Sequence, residues 1–90
     1  MFLQHDSIIK QKIVADLYEY TMSQKQVADY LDMEPTHVSK LVKESKLEVL
    51  FVYNDNSRRK MNIFYKKDVE EYAKLLKSFR ELRKKRYKNS

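Results

Sequence analysis

The sequence predicts a mainly α-helical domain carrying one small β-hairpin, and three stretches carry that prediction. Residues 23–42 read as two short helices joined by a tight turn. Residues 47–65 hold two β-branched and aromatic runs on either side of a polar turn. Residues 68–83 carry a helical apolar stripe that runs on into a basic end.

The first element is an amphipathic helix over Ser7 to Tyr20, where Ile9, Ile13, Leu17 and Tyr20 recur at i, i+4, i+8 and i+11. Asp6 or Ser7 is its expected N-cap, and Thr21-Met22-Ser23 interrupts it. Ser23 opens the second helix: with Gln26 three residues on it forms a capping box, in which each side chain satisfies a backbone N–H left unpaired at a helix start. Val27, Ala28 and Leu31 line the inner face of that helix. Pro35 suits the first turn of the third helix, where its missing N–H costs nothing. Val38, Leu41 and Val42 then face inward, leaving Thr36, His37, Ser39, Lys40 and Lys43 on a polar and basic arc.

Leu47 to Tyr53 reads as a strand, Asn54-Asp55-Asn56-Ser57 as the turn, and Met61 to Tyr65 as the returning strand, with Arg58, Arg59 and Lys60 near the hairpin tip. Asp68 and Glu71 give a second box-like cap. Val69, Tyr72, Leu76 and Phe79 continue at helical spacing with Leu75 and Leu82 beside them, so a fourth helix is expected from Asp68 into the Arg83 region. The chain has no glycine, so turns that need positive φ must use Asn or Asp; Asp32, Asn54, Asp55 and Asn56 are the candidates.

Ninety residues support one small domain, which buries about 60 to 65% of its unfolded surface. We expect residues 1–79 to form that domain and residues 80–90 a basic helix end or tail. Residues 1–76 balance twelve cations against twelve anions, whereas residues 77–90 hold seven against one, so the whole net charge of +6 lies in the last fourteen residues. No cysteine occurs, which excludes disulfides, thiolate catalysis and Cys-based zinc sites. No signal-peptide pattern or 18-residue apolar run is present, so the expected setting is the cytoplasm, at the nucleoid when bound to DNA.

In a helix-turn-helix two helices cross at a sharp angle, which requires a small residue at the close approach and apolar residues on both inner faces. Ala28 fills the small position, and Val27, Leu31, Met33, Val38 and Leu41 fill the apolar ones. A hairpin that follows such a pair is a wing. Through Val27-Ala28-x-x-Leu31, the Met33-to-Leu41 segment, the hairpin and Tyr65-Lys66-Lys67-Asp68-Val69-Glu70-Glu71-Tyr72, residues 21 to 76 resemble the winged helix-turn-helix proteins of the MerR-like and excisionase group. The N-terminal helix and the longer wing turn also resemble the three-helix winged domain of small prokaryotic and phage repressors. Asp32 stands where the first group usually has Gly, and Glu34 where a small capping residue is common.

The resemblance implies double-stranded DNA as partner, the second motif helix in the major groove, and the wing along the backbone or in the minor groove. Thr36, His37 and Lys40 are the expected base-reading residues, at the N-terminal, outward part of the recognition helix. Ser39, Lys43 and Lys46 are the expected phosphate contacts, with Arg58, Arg59 and Lys60 on the wing and Arg80, Arg83, Lys84, Lys85 and Arg86 on the tail. Each group also has a plainer reading: a solvated helix face, a hairpin edge kept soluble by charge, and cations placed by the helix macrodipole.

Leu76, Phe79 and Leu82 are the expected contact with a second copy; free dimerisation and side-by-side assembly on DNA both fit the sequence. The expected function is that of a small transcriptional regulator. An excisionase-like factor that bends DNA for recombination and a module that grips an acidic protein are the alternatives. No enzyme is expected, because His5 and His37 lie in different elements without a triad or metal spacing, and most tyrosines fall on apolar stripes. No cofactor, metal, membrane or small-molecule effector is expected.

Overall fold

The computed structural model describes the backbone of residues 2–88 and the side chains of residues 5–84. The order of elements is α1 (Phe2–Tyr20), β1 (Thr21–Ser23), α2 (Gln24–Leu31), α3 (Pro35–Lys43), β2 (Phe51–Tyr53), β3 (Met61–Tyr65) and α4 (Lys66–Lys88). The chain is mainly helical, with a three-stranded antiparallel sheet in the order β1-β3-β2.

The core is assembled around Phe64, which is fully buried on the central strand. Met22 from β1, Val27, Ala28 and Leu31 from α2, Val38 and Leu41 from α3, Leu47, and Val69 from α4 close around it. Met33, Val42, Val49, Tyr72, Ala73 and Leu76 pack against this cluster from its edge. Ala28 is only 1% exposed, as expected of the position where two helix backbones approach closely.

Each joint around α2 and α3 has a local cause. Ser23 caps α2: its side chain accepts from the Gln26 N–H while the Gln26 side chain accepts from the Ser23 N–H, completing the capping box. At the other end of α2, Asp32 adopts the left-handed region at φ 55°. The Asp32 N–H donates to the Asp29 carbonyl and the Met33 N–H to the Ala28 carbonyl, the paired bonds of a Schellman motif. Glu34 precedes Pro35 at the start of α3 and provides no side-chain cap. α3 ends in a second Schellman motif, with Ser45 at φ 59°, Ser45 N–H donating to Val42 and Lys46 N–H to Leu41.

Several expectations are corrected. β1 adds a third strand to the expected hairpin, because Met22 pairs with Phe64 across the sheet and buries beside it. The strand expected over residues 47–53 shortens to Phe51–Tyr53, since Leu47 leaves the Schellman turn pointing into the core rather than along a ladder. α1 begins at Phe2, so Asp6 and Ser7 lie inside it and cap nothing; α4 begins at Lys66, with Asp68 in its first turn. Among the residues expected to take positive φ, Asp32 and Asn54 do so; the third such position is Ser45, not Asp55 or Asn56. α4 runs on to Lys88, beyond the Arg83 region where its end was expected, so residues 80–88 take the helix-end form of the two expected there.

The largest departure is α1. None of its described side chains is buried, and Ile9, Ile13, Leu17 and Tyr20 are all exposed. Its C-terminal end is tied to the body by the Lys66 ammonium, which donates to the Tyr18 carbonyl at 3.0 Å. The molecule is accordingly elongated, 69 × 28 × 17 Å along its principal axes.

Candidate nucleic-acid interface

α3 is divided lengthwise. Val38 and Leu41 are buried, and Thr36, His37, Lys40 and Lys43 are exposed on the opposite side. Thr36, Lys40 and Lys43 recur at i, i+4 and i+7, so they form one stripe along the helix, with His37 beside it. Lys46 is exposed just beyond the helix end and approaches Glu44 at 3.9 Å, an exposed pair of about 0 to 1 kcal/mol that leaves the ammonium accessible.

Ser39 has a different environment. The Gln24 side-chain amide donates to Ser39 Oγ at 2.7 Å and to the Pro35 carbonyl at 2.9 Å. The same Gln24 accepts through Oε1 from Asn62 Nδ2 at 3.0 Å, and Ser39 Oγ donates to the Pro35 carbonyl at 3.4 Å. One amide therefore joins the start of α2, the first turn of α3 and the middle of β3. Ser39 Oγ is thus engaged on two sides, accepting from Gln24 and lying within donating distance of the Pro35 carbonyl.

Through Asn62, which pairs with Val52 in the middle of the β2–β3 ladder, this latch also fixes the hairpin. Lys60 precedes Asn62 by two residues, about 7 Å of extended chain, so the basic tip begins close to the latch. Residues 54–60 form the exposed connection, started by Asn54 at φ 57° with the Ser57 N–H donating to the Asn54 carbonyl at 2.9 Å. Arg58 and Arg59 are exposed, and the Lys60 ammonium lies 3.8 Å from the Asp55 carboxylate.

α4 separates the remaining cations. The Arg80 guanidinium donates to the Leu31 and Asp32 carbonyls at 3.0 and 3.3 Å, satisfying the C-terminal end of α2 where the helix dipole is negative. Arg80 thus clamps α4 to α2, a role different from the phosphate contact expected of it. Arg83 and Lys84 are exposed, while the side chains of Lys85 and Arg86 lie outside the described residues. Of the expected contacts with a second copy, Leu76 packs against the core of its own chain, whereas Phe79 and Leu82 are exposed.

Gln24, Asn62 and the clamp of Arg80 were not singled out in the sequence. Their partners lie 11 to 49 residues away along the chain, and no local spacing connects them. Among the described residues no group of three His, Cys, Asp or Glu side chains is arranged to hold a metal ion, and no helix is long and apolar enough to cross a membrane. Comparison with known proteins finds no matching family model, no matching curated protein and no matching solved structure.

Proposed function

We propose that this chain binds double-stranded DNA in a sequence-specific manner, as a small transcriptional regulator built on a winged helix-turn-helix. In this reading α2 and α3 are the motif helices, α3 enters the major groove, and the β2–β3 hairpin is the wing, placed on the backbone or in the minor groove. The observation that carries the reading is the division of α3: one side is committed to the core, and the other offers a hydroxyl, an imidazole and two ammonium groups on adjoining positions. A major groove about 12 Å wide admits one helix, and such side chains match its donor and acceptor edges.

Thr36, His37 and Lys40 then read bases, and Lys43 and Lys46 meet phosphates. Arg58, Arg59 and Lys60 extend the contact from the wing; Arg83 and Lys84 add charge from α4. Ser39 holds α3 in place through Gln24, which keeps the helix and the wing in one geometry relative to a rigid duplex. The net charge of +6 supplies the counterion-release term that DNA binding requires.

Selection from random duplexes followed by footprinting tests the proposal. Lys40→Ala should lose about 1 to 3 kcal/mol on the selected site and little on random DNA. Equal loss on both would make Lys40 a phosphate contact. A purified chain that enriches no site and protects no duplex at low salt would move the function to recognition of an acidic protein. Sharp bending of DNA by copies bound at adjacent sites would assign it an architectural role.

A further inference from the structure

The outward side of α3 is rich in hydrogen-bond donors and poor in free acceptors. At about 3.6 residues per turn, Thr36, Lys40 and Lys43 fall within about 35° of the direction opposite the inward-facing Val38, Leu41 and Val42. His37 stands about a quarter-turn to one side of that direction and Ser39 to the other. Lys40 is the middle residue of the stripe. Its ammonium donates hydrogen bonds and accepts none, whereas the Thr36 hydroxyl does both and discriminates little between bases. Among the described residues Lys40 forms no ion pair, unlike Lys46 and Lys60.

The side chains that would select other bases are committed or lie off the stripe. A carboxamide pairs with adenine by accepting from N6 and donating to N7. Gln24 donates to the Pro35 carbonyl and to Ser39 Oγ, and its own oxygen accepts from Asn62 Nδ2, so the amides of Gln24 and Asn62 are bound to each other and to α3. A carboxylate would accept from cytosine N4. Glu34 precedes the first turn of α3, and Glu44 follows the last, 3.9 Å from the Lys46 ammonium.

The four bases differ in what they offer a donor. In the major groove guanine presents two acceptors, N7 and O6, side by side; adenine pairs one acceptor with a donor, thymine sets one acceptor beside a methyl group, and cytosine offers a donor. A helix about 10 to 12 Å across fills a groove about 12 Å wide, which turns the stripe opposite its buried side toward the base edges.

We propose that the duplex site of this chain carries a fixed guanine, read at N7 and O6 by Lys40, as the position of strongest base preference under α3. The inference rests on the DNA-binding reading and narrows its ligand to duplexes marked by guanine at that step.

Selection from random duplexes, followed by affinity measurements on altered sites, tests it. The expected motif has one invariant guanine. Replacing that guanine by adenine should weaken wild-type binding by about tenfold or more, and 7-deazaguanine, which keeps the base pair and removes the N7 acceptor, should also weaken it. Both penalties should vanish in Lys40→Ala. Selection repeated with Lys40→Gln should move the preference at that position from guanine to adenine. Lys40 is exposed, so both variants should keep the wild-type circular dichroism spectrum and melting temperature; the 7-deazaguanine measurement uses the unaltered protein.

An enriched site with no invariant guanine, or a guanine preference that survives either substitution of Lys40, would overturn this inference and leave DNA binding standing. Equal affinity for duplexes of every sequence would overturn both the guanine contact and sequence specificity. A chain that binds no duplex at low salt would overturn the DNA-binding reading, and the guanine contact with it.

Discussion

The two helical regions α1 and α2–α3 both repeat apolar residues at helical spacing, more sharply segregated to one side in α2 and α3 than in α1, and have opposite fates. In both, apolar residues recur at three- and four-residue spacing. In α2 and α3 the inward positions Val27, Ala28, Leu31, Val38 and Leu41 are buried, and Gln24 and Arg80 bind the pair to the sheet and to α4. In α1 the corresponding positions stay exposed, and the helix is held by its C-terminal end. Helical periodicity identifies a helix; it does not say whether its apolar residues end up covered.

The largest expected effect sharpens this contrast. Phe64→Ala should destabilise the fold by about 3 to 5 kcal/mol in urea denaturation, while Ile13→Ala should change stability by no more than ~0.5 kcal/mol. A comparable loss for Ile13→Ala would mean that α1 packs within its own chain.

Next in size is the latch. Gln24→Ala leaves the Asn62 amide without its acceptor and removes the donor to Ser39 Oγ, for an expected loss of about 1 to 2 kcal/mol, and should weaken binding to selected DNA beyond what the stability change accounts for. Unchanged affinity in a folded variant would show that α3 needs no latch to hold its position.

Arg80 and Arg83 form a matched pair three residues apart on α4. Arg80→Ala should cost about 1 kcal/mol of stability because it uncaps α2. Arg83→Ala should leave stability alone and reduce the log-log salt slope of DNA binding by about 0.9 if it meets a phosphate. Reversal of the two phenotypes would move the clamp to Arg83.

The smallest effect concerns the turns. Ser45→Gly should raise stability by up to about 1 kcal/mol, since a residue with a Cβ pays for the left-handed region that Gly enters freely. Asp32→Gly should gain less, because Asp tolerates that region better than Ser. Equal gains would show that side-chain chemistry contributes nothing at Asp32. Thermal unfolding of the two variants gives the comparison.

Much of the body was legible from local chemistry. The Ser23–Gln26 box, Pro35 at the start of α3 and Asp32 in the turn are short-range devices, and each is found where its spacing places it. Met61–Tyr65 was likewise readable as a strand. β1 was not, because three residues that include two hydroxyl side chains carry no strand pattern until β3 pairs with them. Ser45 was missed because its left-handed turn follows from Leu47 being drawn into the core, and nothing in Glu44-Ser45-Lys46 signals it.

The candidate interface divides in the same way. That Thr36, His37, Lys40 and Lys43 share the outward side of α3 follows from helical spacing together with the buried Val38 and Leu41. The engagement of Ser39 by Gln24 and of Arg80 by α2 does not, since each partner is distant in sequence. The sequence by itself determined the helices, their caps and the arc of α3 that stays polar, because these depend on contacts within a few residues. Only the tertiary structure decided which apolar stripes are covered, which cations are already committed and how α3 is joined to the hairpin, because these depend on where distant segments meet.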